Sequence, residues 1–550
     1  MKCMVIQVKN KDFIMNMNKA YILFVLALFC AQGLWAKTFE ADGIWYETTS
    51  TNTVRVVEEP AASGEGTSFS FRKCYEGDIT IPETVTSGGN TYSVVAVKDG
   101  TFRESAKLTS VTIPATLTDL GNAPFADCPR LAYIAVAEDN PSFAIVDGLL
   151  CDKAVAMLIA CPGTAEGDVA VPSTITTLAT SAFHGCANIT SITLPEGVTS
   201  VGKHAFQGCA QLITVNQPEG ITTISDSTFY YCSALTNITI PTTVTSIGVK
   251  AFYHCNKLTA LTLPATVETL ADYAFSLCYG LTSITLSDNL KTIGYRAFEN
   301  CSKVKKITIP AQVSEIATLA FCGCSSLTAF TVAEENSSYC SLNGVLYDKA
   351  VQTLLCYPCA KLGDFDMPST VNTIGEYGFY SARLLKSIVL PTSVKTIKDG
   401  AFRLCSGLKT ITIPASVTSL GNNLFVACSA LESIVYYAAE PPAISETTFT
   451  ETNLGVPLYV LSRVVDDYKN AAYWSGFITI LPIDESVVSG LLGDTNNDTF
   501  INMSDVTQVI HYILGKEVTD FRWQRGDLNF DGFINITDVT TIINRILNNE

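Results

Sequence analysis

Two stretches near the carboxy end place oxygen-bearing side chains at matching intervals. Asp494, Asn496, Asp498, Asn502 and Asp505 occupy positions 1, 3, 5, 9 and 12 of one segment, and Asp527, Asn529, Asp531, Asn535 and Asp538 repeat them 33 residues later. Phe500 and Phe533 stand at position 7, where a main-chain carbonyl serves as ligand. Calcium takes six to eight oxygens, and a twelve-residue loop with this spacing wraps them round one point. Binding of two calcium ions, one per loop, is the chemistry expected. Residues 493–550 carry 9 acidic and 4 basic side chains, a balance of −5 that two such ions nearly cancel. Ile501 and Ile534, both at position 8, should pack the loops together; position 6 of the first loop is Thr499 where the second has Gly532.

A second regularity is a ruler of cysteines. Cys186, Cys209, Cys232, Cys255, Cys278, Cys301 and Cys324 recur every 23 residues, each three after a phenylalanine (Phe183, Phe206, Phe229, Phe252, Phe275, Phe298, Phe321). The pair returns at Phe125/Cys128, Phe402/Cys405 and Phe425/Cys428, while Phe102 and Phe379 are followed by Ser105 and Ala382. Thiols can ligate metal or form disulfides. One per period, always behind the same phenylalanine, is instead the behaviour of a small apolar filler, so buried free thiols are expected. Cys356-Tyr357-Pro358-Cys359 is a lone C-x-x-C whose counterparts one duplication earlier are Ala160 and Gly163, so neither zinc nor redox chemistry is expected there.

Catalysis finds few parts. His184, His204 and His254 fall at variable positions around the A-F-x-x-C turn, where they should face solvent, and no H-E-x-x-H, P-loop or G-x-S-x-G is present. No acid/base pair stands out, and no catalytic residue is assigned. With 35 basic against 52 acidic side chains and a net charge of −17, the chain lacks the basic surface that nucleic acid or an anionic membrane requires. A hydrophobic fraction of 47% excludes a mainly disordered chain.

The elements that hold these groups follow from the period. Twelve copies read L-x-x-I-x-I-P-x-x-V-x-x-I-G-x-x-A-F-x-x-C, as in Leu235, Ile238, Ile240, Pro241, Val244, Ile247, Gly248, Ala251, Phe252 and Cys255. Ile238 and Ile240 share one face of a short strand, Pro241 ends it, and Gly248 permits a turn. Phe252 and Cys255 share the inward face of one helical turn. No copy can bury this set alone, and stacked copies can. Phe125 to Phe183 and Phe321 to Phe379 are both 58 residues apart, with matching text 196 residues apart (Asp147-Gly148-Leu149-Leu150 and Asn343-Gly344-Val345-Leu346), which reads as an inserted hairpin in each. The chain should thus be a repeat solenoid of parallel β coils with short helical turns, plus a small all-α module in which each loop runs into an amphipathic helix.

At the other end, Asn18-Lys19, an apolar run from Ala20 to Leu34 and Trp35-Ala36 read as a secretory signal cut after about Ala36, with Met17 as the expected start. About 15 apolar residues is short for a membrane span. Cys30 is a weaker candidate for lipidation. A secreted or cell-surface protein is expected.

The repeat text resembles the BspA-like bacterial leucine-rich repeats, a surface-protein class. The resemblance implies a β-rich amino cap over 37–97, a leucine-rich solenoid over 98–433 with insertions near 130–170 and 326–366, and a capping repeat over 434–485. A linker at 486–490 follows. Residues 491–550, with aspartate at position 12 and a loop-then-helix duplication, resemble a type I dockerin, which implies two bound calcium ions and a cohesin-type protein partner. By position the contact residues would be Met503, Ser504, Ile510 and His511 in one half and Ile536, Thr537, Ile543 and Asn544 in the other. The halves differ, so a symmetric two-way contact is not expected. The solenoid's variable strand positions (Thr190-Ser191, Thr236-Asn237, Lys305-Lys306, Lys409-Thr410) form a hydroxyl-rich face suited to a host protein or a glycan. Two functions follow from the resemblance: a non-catalytic binding or adhesion protein fastened through its dockerin, or an accessory subunit of a polysaccharide-degrading complex. A third reading has the last module act as a cap on the repeats.

Overall fold

A computed structural model describes residues 36–59, 74–362, 365–483, 493–496, 501–519, 521–528 and 534–548. The expected signal segment with Cys30, the 486–490 linker, and Asp498, Thr499, Phe500, Asn529, Asp531 and Phe533 lie outside the described residues. The chain divides into two compact units, residues 1–153 and 154–550. No helix among the described residues is long and apolar enough to cross a membrane.

In the first unit, Thr38–Ala41, Ile44–Thr48, Thr53–Val57, Asn90–Val97 and Thr84–Ser87 form a five-stranded sheet in that order, mostly antiparallel. Alternate residues turn inward, so Ile44, Tyr46, Val54 and Val56 are buried. A parallel ladder then starts with Glu76–Thr80, Lys107–Ile113 and Tyr133–Val136. Beside it the rings of Tyr75, Phe102 and Phe125 follow one another at 4.9 and 5.5 Å. Phe143–Val146 and Leu149–Asp152 pair as a hairpin across Asp147 and Gly148, whose φ of 50° and 79° suit a two-residue primed turn.

The second unit is built of coils. Two-residue strands such as Thr223–Ile224, Ser246–Ile247, Thr269–Leu270, Thr292–Ile293 and Glu315–Ile316 run parallel, one per coil. The ladder of first strands is less continuous. Residues 235–240 form no strand, and the side-chain amide of Asn216 both donates to and accepts from the main chain of Leu194 in the coil before it. Inside, Phe183, Phe206, Phe229, Phe252, Phe275, Phe298 and Phe321 stack ring on ring at 4.9–5.8 Å.

The segment around each phenylalanine is a pair of tight turns rather than a helical turn. The residues two before and two after the ring both take positive φ, as Lys250 (55°) and His254 (63°) do about Phe252. The main-chain N–H of Cys255 closes the turn on Phe252 O at 3.2 Å. Gly248 has a different role from the one expected. Its φ is not positive; a Cβ there would meet Asp226 N at 2.7 Å, and one on Gly294 would meet Ala271 C at 2.6 Å. The glycine is demanded by close passage of the neighbouring coil, not by the turn after it.

The cysteines of the Phe–Cys pairs are buried free thiols, but they do more than fill space. In the Phe–Cys pairs the Sγ–H donates to the phenylalanine carbonyl of the preceding coil, as from Cys255 to Phe229 at 3.2 Å, Cys278 to Phe252 at 3.1 Å and Cys405 to Phe379 at 3.0 Å; Cys186, which follows an insertion, reaches Cys161 O and Pro162 O instead. A hydroxyl in the first unit marks the contrast, since buried Ser105 lacks a hydrogen-bond partner. Phe449 extends the ladder beyond the expected copies, 6.3 Å from Phe425. Beyond it Trp474 packs against Tyr436, Phe449 and Tyr468, donates from Nε1 to Pro442 O, and closes the core beside helix α1 (Val465–Asn470).

Candidate calcium and partner sites

Helix α2 (Met503–Ile513) and helix α4 (Ile536–Asn548) each begin at the end of a loop, with the short helix α3 (Trp523–Gly526) between them. Val506, Val509, Leu528, Val539 and Ile542 form their buried core. Ile501 and Ile534 pack on that core, and each lies against the glycine that opens its own loop: the Cβ positions of Gly493 and Gly526 fall 3.1 Å from their side chains. A larger residue before position 1 would push position 8 out of the core.

The two loops are organised alike. Asp505 accepts from Thr495 N through Oδ1 at 2.7 Å and from Asn502 N through Oδ2 at 2.9 Å. Asp538 accepts from Leu528 N through Oδ1 and from Asn535 N through Oδ2, both at 2.9 Å. Position 12 therefore ties the start of its loop to the helix entry. Asn502 and Asn535 cap the helices, accepting from Ser504 N and Thr537 N at 2.8 and 2.9 Å. Asp494, Asp505, Asp527 and Asp538 are all buried. Burying so many carboxylates beside a core of this size is expensive unless cations face them. Arg525 supplies one, reaching Asp494 Oδ2 at 3.0 Å and linking the start of one loop to the residue before the other. The remaining donors, all oxygen, fit a hard divalent cation. Among the described residues alone no group of three or more acidic, histidine or thiol ligands closes on one point.

Of the residues placed at a partner face, Met503 and Ile536 are 60% and 70% exposed. Ser504, Ile510, Thr537 and Asn544 are exposed as well, whereas His511 and Ile543 are half-buried, Ile543 against the core just described. Tyr512, next to His511, turns to the repeats. Its hydroxyl bonds to Thr392, its ring stacks on Phe521 at 4.6 Å, and Arg522 pairs with Asp366 at 2.7 Å. Burial pushes the Tyr512 phenol up to about 12.

On the repeats, the positions expected to form the variable strand face hold partly or fully exposed Thr190, Ser191, Thr236, Asn237, Lys305, Lys306, Lys409 and Thr410, although Thr236 and Asn237 lie in no strand. A richer surface lies elsewhere. Around the phenylalanine turns Tyr230 stacks on Tyr253 at 5.0 Å, Tyr231 on His254 at 4.3 Å, and Tyr279 meets His254 edge-on at 6.2 Å. Lys250 sits over Tyr273 at 5.5 Å. The expectation that the histidines face solvent needs correcting. His184 is buried and lies 6.4 Å from His204, and His254 is half-covered by Tyr231, because side chains of successive coils stack on one another instead of projecting freely. This aromatic ribbon was legible only as tyrosines at positions treated as variable.

The family described as BspA type Leucine rich repeat region matches residues 67–144, 165–262, 245–343 and 349–459, and the Dockerin type I domain matches residues 492–547. Both families are non-catalytic, and type I dockerins are calcium-binding modules. Among solved structures, a leucine rich cell surface protein from Faecalibacterium prausnitzii is 24% identical, covering 82% of this chain and 96% of that one at a TM-score of 0.40. A leucine-rich repeat protein from Bacteroides ovatus is 26% identical, covering 72% and 94% at 0.44. One from Eubacterium ventriosum is 26% identical, covering 62% and 84% at 0.40. No curated protein matches the sequence.

Proposed function

Because the chain belongs to the BspA-type leucine-rich repeat family and carries a type I dockerin domain, we propose that it is an exported, non-catalytic binding protein. Its last module binds two calcium ions, one through Asp494, Asn496, Asp498, Phe500 O, Asn502 and Asp505, the other through Asp527, Asn529, Asp531, Phe533 O, Asn535 and Asp538. The observation that carries this reading is the pair of like-built loops with four buried aspartates beside two strongly exposed apolar side chains, Met503 and Ile536. With calcium bound, Met503, Ser504, Ile510, His511, Ile536, Thr537, Ile543 and Asn544 engage a cohesin-type module, and the repeats present a ligand-binding face at the surface so reached.

The full chain, assayed by biolayer interferometry on immobilised type I cohesins, is expected to bind in millimolar calcium and to lose binding in chelator. Asp505→Asn combined with Asp538→Asn should do the same in the presence of calcium. Equal capture in chelator, or by a chain ending near residue 490, would sink the docking reading.

The exposed aromatic ribbon favours a second reading, in which the protein is an accessory subunit of a polysaccharide-degrading complex and its repeats touch glycan. Tyrosine rings give flat apolar surfaces with a polar edge, suited to sugar rings. Retention on insoluble polysaccharide that falls when Tyr231 and Tyr279 become alanine would support it, and retention unaffected by both changes would remove it.

A further inference from the structure

The inserted hairpin at residues 339–348 interrupts the inter-coil bonding. In flanking coils the phenylalanine N–H reaches the carbonyl before the next ring: Phe298 N to Ala320 O at 2.8 Å, Phe379 N to Ala401 O at 2.8 Å. In several coils the residue two earlier does likewise, as in Tyr273 N to Tyr295 O at 2.8 Å and Tyr377 N to Asp399 O at 3.0 Å. After Phe321 the chain departs into the hairpin, and Tyr357 resumes the coil, its N–H on Gly378 O at 2.7 Å and its ring 5.1 Å from Phe379. Phe321 meets Phe330 edge-on instead of a further stacked ring. Among the described residues the main-chain N–H groups of Leu319 and Phe321 have no hydrogen-bond partner.

A cavity of about 280 Å3 lies here, walled by Leu319, Phe321, Leu346, Leu355, Tyr357 and Tyr380. Glu376 and Lys398 stand exposed at its mouth. The Tyr357 hydroxyl is buried and also lacks a partner. Buried donors are seldom left unpaired. Three at one apolar cavity make a site that favours something able to accept. Cys322 and Cys356 also line it, and burial holds both thiols protonated, so they add no negative charge. Glu376 is turned toward Thr318 Oγ1, 3.4 Å away, leaving Lys398 as the cation at the mouth.

We propose that this cavity binds a small monocarboxylate with an apolar body, its oxygens accepting from the Leu319 and Phe321 N–H groups and the Tyr357 hydroxyl, with Lys398 attracting its charge. Unpaired donors in the wall select an acceptor headgroup, and the apolar side chains select the body. The volume, near the lower end for small-molecule pockets at roughly 300 Å3, suits a single ring better than a sugar chain or a peptide. The site is separate from the loops and from the aromatic ribbon.

The test is calorimetric titration of the full, calcium-loaded chain with 3-phenylpropionate and, as a matched control, 3-phenylpropylamine. The acid should bind and the amine should not. Tyr357→Phe keeps the ring and removes the hydroxyl, so it should weaken the acid about tenfold without lowering the melting temperature. Lys398→Met should weaken it a few-fold. Equal affinity for acid and amine, unchanged affinity in Tyr357→Phe, or no uptake because the cavity holds only water would each overturn the proposal.

Discussion

The coils from Phe183 to Phe321 and the module from residue 493 onward solve the burial problem in opposite ways. The coils repeat one apolar set: each ring stacks on the next, each trailing thiol reaches a phenylalanine carbonyl of the coil before, and glycine stands where the neighbouring coil passes close. Most of their buried polar groups belong to the main chain, and away from the inserted hairpin many of these bond to the neighbouring coil. The module has five fully buried apolar side chains and nearly as many buried aspartates. One region is held together by repetition, whereas the other buries carboxylates that a bound cation would complete. On the function proposed above, a binding face would be carried on a part that does not need calcium and attached by a part that does.

Removing calcium should break that contrast most visibly. At a hundred times Kd each site contributes about 2.7 kcal/mol, so chelation should strip hydrogen-exchange protection from α2 and α4 and leave the coils protected. Equal protection of α4 in chelator would show the module to be as self-sufficient as the repeats. Within the coils, Phe275→Ala should cost about 3–5 kcal/mol, read as faster exchange in the coils stacked on either side and unchanged exchange in α2. Gly248→Ala pushes a Cβ to 2.7 Å from Asp226 N and should cost about 1–3 kcal/mol; a neutral result would mean that the coils can separate freely. The smallest effect concerns pH. Burial pushes the Cys278 thiol from 9.0 up to about 12. The unfolded chain therefore releases this proton first, and stability present below pH 9 is lost as pH rises toward 12. Urea midpoints measured across that interval should fall less steeply in Cys278→Ala than in the parent chain.

Much of this architecture was legible because a solenoid writes its geometry as a period. The Phe–Cys pair marked the inward corner of each coil, and the spacing of Asp494 to Asp505 and Asp527 to Asp538 marked the loops. What escaped reading depends on the neighbour a residue meets across coils. Phe449 lies 24 residues after Phe425 and lacks the trailing cysteine, so the ruler missed it. Gly248 looked like a turn residue because the approach of Asp226 is a fact about the adjacent coil. The burial of His184 depends likewise on the coil beside it, and the cavity near Tyr357 arises where an insertion moves that neighbour away.

The paired left-handed residues around each phenylalanine also govern how this surface can diversify. From the coil of Phe183 to that of Phe425, those positions hold residues such as His204, Tyr231, Lys250, Tyr273, Asn300 and Leu404, and never Val, Ile or Thr, although threonine is abundant in the chain. A β-branched side chain is strained at positive φ. The backbone thus filters which mutations the aromatic ribbon can accept, admitting long and ring-bearing side chains while rejecting the branched ones that dominate the strands. Variation that would erode an ordinary loop is steered here toward tyrosine, histidine, lysine and asparagine, the residues from which contact surfaces are made.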